Sequence, residues 1–207
     1  MSAASTRVYL FRHGEVVLAE TRRFIGHLDV ALSARGEAQC VAQAGRLRDV
    51  PLAALYSSDL ARARRSGELL GAPRALRPVV VPALREMAMG RWEGLTAAEI
   101  QAREPQAFDT WMASVGAFPF PEGESVPDLV ARAWPAFVTL VEAHRGATIA
   151  VVAHGGTNRA MLCRALGVPL DRLLAFGQGY AAMNVLEHTD GRWALRRLNE
   201  EPGLGGA

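Results

Sequence analysis

The chain has 207 residues, 50% of them hydrophobic and 21% charged, with a net charge of +2. That length can bury a full core, and that balance excludes a disordered chain. The basic residues are interspersed with acids, which argues against a nucleic-acid arm, and no apolar run approaches the ~20 residues that span a bilayer.

The first predicted element is a strand over residues 6–11. Val8-Tyr9-Leu10-Phe11 is short and apolar, and it empties into Arg12-His13-Gly14-Glu15. Ahead of it, Met1 to Thr6 is small and uncharged, and the apolar run is too short for a signal-peptide core. A long, partly polar loop over 14–32 follows. Ser33 then caps a helix over about 34–48, with Ala38, Val41, Ala42 and Gly45 on one face. Ala53–Tyr56 is a short strand. Ser57, Ser58 and Asp59 offer caps for a helix that carries Leu60, Ala63, Gly67 and Leu70 inward and places Arg62 in its first turn. Val79–Val81 is a further strand, and residues 84–94 form a loop.

Helices are expected from about Thr96 to Arg103 and from Pro105 to Ser114, and a loop over 116–124. Ser125-Val126-Pro127-Asp128 reads as a capping box. Behind it stands the most periodic segment of the chain, kinked at Pro135. Thr148–Ala153 repeats the opening pattern, a strand run ending in His154-Gly155-Gly156, with Thr157 opening a helix that stops near Gly167. Residues 182–187 and 193–198, joined by Asp190-Gly191, read as a hairpin. Alternating strands and helices predict an α/β fold with a mostly parallel sheet covered on both faces and an antiparallel edge. The expected organisation is a single domain over 1–200 and a disordered tail over 201–207. Cys40 and Cys163 lie among small and apolar residues and read as buried free thiols of a reducing, cytoplasmic compartment.

In an open parallel sheet, ligands bind off the carboxyl ends of the strands. The polar residues expected there are Arg12, His13, Arg62, Glu86 and His154. Two guanidiniums at one site imply an oxyanion. One imidazole can be a nucleophile, a second can stabilise a transferring group, and a carboxyl can protonate a leaving oxygen. Taken singly, each has a structural reading: a strand-end histidine is usually architectural and a helical arginine usually solvated. His27, His144 and His188 read as surface or structural. No His-Glu-x-x-His and no compact carboxylate–histidine pattern occurs, so neither a metal nor another cofactor is expected, and no P-loop lysine follows the glycines near His154.

These blocks resemble the histidine phosphatase superfamily, also called phosphoglycerate-mutase-like. The resemblance rests on Arg12-His13-Gly14-Glu15, on Gly26-His27-Leu28-Asp29 with Leu32-Ser33-Ala34-Arg35-Gly36, and on Ser57-Ser58-Asp59-Leu60-Ala61-Arg62-Ala63. It continues through Leu84-Arg85-Glu86, Gly90-Arg91-Trp92-Glu93-Gly94, Gly123-Glu124-Ser125 and Ala153-His154-Gly155-Gly156. It covers about residues 6–190. It implies a three-layer α/β/α sandwich, His13 as the phosphorylated nucleophile and Glu86 as proton donor. Arg12, Arg62 and His154 would hold the phosphoryl group, with Gly26 and Gly155 also in the substrate-binding set.

The 16–25 loop departs from the family. Ala19 stands where an asparagine is usual, Val16 where serine or threonine is common, and Ile25 at an often polar position. Thr21 or Arg23 are the available substitutes. The segment between Glu86 and His154 is short and holds few basic residues, Arg91, Arg103, Arg132 and Arg145, which favours water over a second alcohol as phosphoryl acceptor. The expected activity is a phosphomonoesterase of the small bacterial branch that includes α-ribazole phosphatase. A phosphoglycerate mutase and a non-catalytic phospho-ligand-binding module are the alternatives. The expected partner is a small phosphorylated substrate rather than nucleic acid or membrane, with a homodimer left open. Phe24, Trp111, Phe118 and Phe120 suggest either a ring-bearing substrate or core packing.

Overall fold

The computed structural model describes residues 4–203. Six strands form one sheet in the spatial order β3-β2-β4-β1-β5-β6. Their ranges are β1 Thr6–Arg12, β2 Leu52–Ser57, β3 Val79–Val80, β4 Thr148–Ala153, β5 Met183–Thr189 and β6 Arg192–Glu200. The first four run parallel to one another; β5 is antiparallel to β1, and β6 to β5. This is the mostly parallel α/β sheet with antiparallel edge strands that the sequence predicts.

Both faces of the central strands are buried, so β4 is apolar at every position from Ile149 to Ala153. Ile149, Val151, Val8 and Leu10 point into a core with the long helix α5, Val126–Ala143, and with α6, Gly155–Leu166. Ala150, Val152 and Phe11 point the other way, toward α1, Ala34–Arg46, and α2, Ala61–Gly71. Helices α3, Ala97–Arg103, and α4, Pro105–Ala113, lie over the first core beside an aromatic cluster centred on the fully buried Trp92. Cys40 and Cys163 are buried free thiols. Among the described residues, no helix is long and apolar enough to cross a membrane.

Three local expectations need correction. Helix α1 buries Gly36, Gln39, Cys40, Gln43 and Ala44, whereas Val41 is 56% exposed. The inward face is semi-polar because Gln43 Nε2 donates to the carbonyls of Ala181 and Glu200, tying the helix to the far strands. None of Ser57, Ser58 and Asp59 caps α2: its N-cap is Leu60, without a side-chain bond, and the first helical N–H, Ala61, donates to Asp29 from the long loop. Helix α6 starts at Gly155, two residues earlier than expected. Helix α5, Val126–Ala143, carries Pro135 inside it. The capping box at Ser125 and Asp128 forms as read. Residues 201–203 carry no regular structure, and the rest of the expected tail lies outside the described residues.

Candidate active site

Strands β1 and β4 pair in parallel with Arg12 opposite Ala153. The next residue on each strand therefore leaves the carboxyl edge of the sheet beside the other. These residues are His13 and His154, whose ring centroids lie 5.2 Å apart. Strand β2 flanks β4 on its other side with Ser57 opposite Val152, so Ser58 leaves the sheet one residue short of His154, within reach of its ring. The Ser58 hydroxyl is 2.6 Å from His154 Nε2.

Both imidazoles are buried. His13 Nδ1 lies 2.7 Å from the carbonyl oxygen of Gly14. A carbonyl can only accept, so Nδ1 carries the proton and Nε2 keeps its lone pair. Burial, and then the Arg12 and Arg62 guanidiniums, push the His13 pKa well below the ordinary 6.5. Burial, and then Arg62, do the same to His154. Both rings are neutral at pH 7.

The two arginines are fixed by main-chain carbonyls. Arg12 ends β1; its Nη1 donates to Gln178 O at 2.6 Å, and its guanidinium carbon sits 3.9 Å from the centroid of the Tyr180 ring. Arg62, in the first turn of α2, donates from Nη1 to Leu28 O and from Nη2 to Gly26 O, both at 2.7 Å. Nε of each arginine, and Nδ1 of His154, are buried and find no hydrogen-bond partner among the described residues. Buried donors without partners are costly, and an oxyanion is the acceptor that suits guanidinium N–H groups best. Arg12, His13, Gly26, Arg62 and Glu86 line one cavity of about 260 Å3, with Arg22, Arg23, Phe24 and Tyr180 also in its wall.

Glu86 is held by the start of α6. Its Oε2 accepts from Gly156 N at 3.0 Å, and its Oε1 from Thr157 N at 3.1 Å and Met87 N at 3.0 Å. The segment carrying it is braced from behind. Arg132 donates to the carbonyls of Ala83, Arg85 and Glu86 while gripping Glu124 with Nε and Nη2, and Glu124 accepts from Ala88 N. His27 Nε2 lies 2.7 Å from the same Glu86 carbonyl.

All five side chains expected at strand ends thus meet in one place. Gly26 contributes through the carbonyl that fixes Arg62, and Gly155 heads α6 next to Arg12. Sequence reasoning missed Ser58, Gln178 and Tyr180. Ser58 was legible as part of the Ser57-to-Ala63 block but reads there as a cap; Tyr180 and Gln178 sit in a loop with no local signal. Ala19 lies in a short 3-10 turn outside the cavity wall. Of its substitutes, the Thr21 hydroxyl bonds Leu18 O, whereas Arg23 reaches the wall with part of its guanidinium held by Gly94 O and Glu99. Phe118 and Phe120 are buried in the core around Trp92, while Phe24 faces the cavity.

A family model described as the histidine phosphatase superfamily, branch 1, matches residues 8–201. A bifunctional protein of Mycobacterium tuberculosis is 34% identical over 94% of this chain, which spans 54% of that relative's length. Phosphoserine phosphatase 1 of Hydrogenobacter thermophilus is 29% identical over 96% of this chain and 94% of its own. Among solved structures, a putative α-ribazole-5′-phosphate phosphatase of Escherichia coli superposes with a TM-score of 0.87 at 25% identity, over 94% of this chain and 96% of that one.

Proposed function

The chain belongs to branch 1 of the histidine phosphatase superfamily, and from that premise we propose that it hydrolyses a small phosphomonoester through a phosphohistidine at His13. The observation that carries this reading is the 2.7 Å contact of His13 Nδ1 with the carbonyl oxygen of Gly14, which assigns the tautomer of His13. Its proton is held on Nδ1 by Gly14 O, which leaves the Nε2 lone pair free beside two guanidiniums with unpartnered Nε groups.

In the first step His13 Nε2 attacks phosphorus, the bond to the ester oxygen breaks, and Glu86 gives that oxygen a proton. Arg12, Arg62 and His154 hold the three non-bridging oxygens as charge shifts onto them. If Ser58 donates its hydroxyl hydrogen to His154 Nε2, the ring proton is on Nδ1, the unpartnered nitrogen. In the second step water attacks the phosphohistidine, Glu86 takes its proton, and the phosphorus–nitrogen bond breaks to release inorganic phosphate. No metal is required by this scheme. Of the basic side chains between Glu86 and His154, where a mutase would hold a second anion, Arg91 pairs with Glu104 and Glu122, and Arg132 with Glu124.

The test is hydrolysis of p-nitrophenyl phosphate in excess chelator, with rapid acid quench to trap an acid-labile phosphoryl adduct. His13→Ala should lose both, with turnover down by at least about 10^3-fold. An unchanged rate in that variant would remove His13 as nucleophile; interconversion of phosphoglycerates without net release of phosphate would favour the mutase.

A further inference from the structure

We infer that Arg159 reads a carboxylate on the leaving-group side of the substrate, so that the preferred phosphomonoesters carry a second, carboxylate charge behind a small apolar body. This rests on the hydrolase reading above for the direction of the leaving group, but not for the binding itself.

A second cavity, of about 190 Å3, adjoins the first and shares Arg12, Phe24, Glu86 and Met89 with it. Its remaining wall is mostly apolar, including Trp111, Val115, Phe120 and Leu173, and it contains one further cation, Arg159. Glu86 stands between the two spaces. A group that protonates the ester oxygen lies on the leaving-group side of phosphorus, so the alcohol portion extends past Glu86 into this annex. Its volume corresponds to about six waters at ~30 Å3 each, enough for a small ring or a short chain.

Arg159 stands on α6, one turn after Gly155. Its Nε donates to Phe176 O at 2.8 Å, which fixes the plane of the guanidinium. Its Nη1 lies 3.3 Å from where a Cβ on Gly155 would stand, on the side of Arg12. No carboxylate pairs with it among the described residues. Burial and the Arg12 charge lower its pKa and Glu86 raises it, so Glu86 is the opposing charge that reaches it. The Glu86 oxygens are already engaged by Gly156, Thr157 and Met87. A half-buried guanidinium in an apolar wall, with Nε anchored and no ion-paired carboxylate among the described residues, is set to accept an anion. A single cation with two free terminal nitrogens matches the one charge and two oxygens of a carboxylate. A second phosphoryl dianion would leave a charge uncompensated here, whereas the first cavity supplies two guanidiniums.

Phenyl phosphate and 4-carboxyphenyl phosphate form the test pair. The intact chain should show at least about tenfold higher kcat/KM for the carboxylated ester, mainly through KM. Arg159→Gln should bring that ratio close to one, and Arg159→Lys should restore part of it. Leu174→Glu places a competing carboxylate at an exposed position of the annex wall and should invert the preference, which guards against a folding defect in the Arg159 variants. Binding of both esters to the His13→Ala chain, measured by calorimetry, gives the same ratio without turnover. Absent turnover with the Arg159-dependent binding ratio intact would overturn the hydrolase reading and leave Arg159 as the carboxylate receptor. A ratio that Arg159→Gln and Leu174→Glu leave unchanged would overturn the role of Arg159.

Discussion

The hydroxyl of Ser58 lies 2.6 Å from Nε2 of His154, joining the ends of β2 and β4 on the floor of the site. Both groups are fully buried, and His154 has no other side-chain partner among the described residues. Ser58→Ala removes the hydrogen-bond partner of His154 Nε2 and leaves a buried ring nitrogen unsatisfied. The expected result is a loss of about 1–3 kcal/mol in stability and about tenfold in kcat/KM, equivalent to about 1.4 kcal/mol. Ser58→Thr should keep most of the rate if the added methyl fits. Thermal melts and steady-state kinetics on both variants check this.

The depressed pKa values of His13 and His154 make stability depend on pH. Between the ordinary value of 6.5 and the lowered folded values, the unfolded chain binds more protons than the folded one. Stability is therefore fully present above about pH 6.5 and is lost as pH falls from there toward the folded values. Melting midpoints from pH 7.5 to 5 should drop, and should drop less steeply in a His13→Gln variant. The acid limb of kcat/KM, set by protonation of the nucleophile, should lie below the ordinary imidazole value. Saturating orthovanadate, by adding a counter-charge beside the rings, should flatten the decline in midpoint.

The parts of this site that were legible in the sequence are those in which chemistry and local geometry coincide. Arg12 and His13 follow a strand-like run directly, and so does His154, so periodicity alone puts them at a sheet edge. Arg62 and Glu86 are legible only through the company they keep in the ordered blocks. The illegible parts reach the site through long-range placement. Tyr180 covers Arg12 from a loop between α6 and β5, and Arg159 is one polar residue on a helix whose other side is core. The misread face of α1 has the same origin, because Gln39 is buried accepting from the Glu15 N–H and Gln43 donating to the carbonyls of Ala181 and Glu200, main-chain groups outside the helix. Polar residues with distant partners look like surface until the partners are known.

Arg132 and Glu124 form the strap behind Glu86, and it should be sensitive to acid. Burial pushes the Glu124 carboxyl up, but Arg132 and the Ala88 N–H outweigh it and hold the pKa below the ordinary 4.5. The stability this pair contributes is present above that value and is lost as pH falls through the folded pKa. Glu124→Gln should abolish that component and lower kcat by about tenfold, roughly 1.4 kcal/mol, through misplacement of Glu86. Inorganic phosphate should still bind within about threefold of its original Kd, because Arg12 and Arg62 are held by other carbonyls. Weakened phosphate binding in step with kcat would mean the strap supports the whole pocket.

Gly155 and Gly156 are adjacent but should tolerate a methyl group very differently. A Cβ on Gly156 would stand 2.6 Å from Glu86 Oε1, in the space of the proton donor itself. A Cβ on Gly155 would meet Arg159 Nη1 at 3.3 Å and Arg12 Nε at 3.5 Å, contacts that a shift of a few tenths of an ångström at the Arg159 terminal nitrogen relieves. Neither glycine has a positive φ, so no backbone strain separates them. Alanine also favours a helix over glycine by up to ~1 kcal/mol, which offsets part of the contact cost at either site. Gly156→Ala should displace Glu86 by a large fraction of an ångström or break its bond from residue 156. Misplacement on that scale can cost about 10^2-fold in kcat. Gly155→Ala should stay within about fivefold, with its effect in KM for esters whose leaving group enters the annex. Parallel kinetics on the two single variants decide the matter: equal losses would show that Glu86 is not held where the donor must stand.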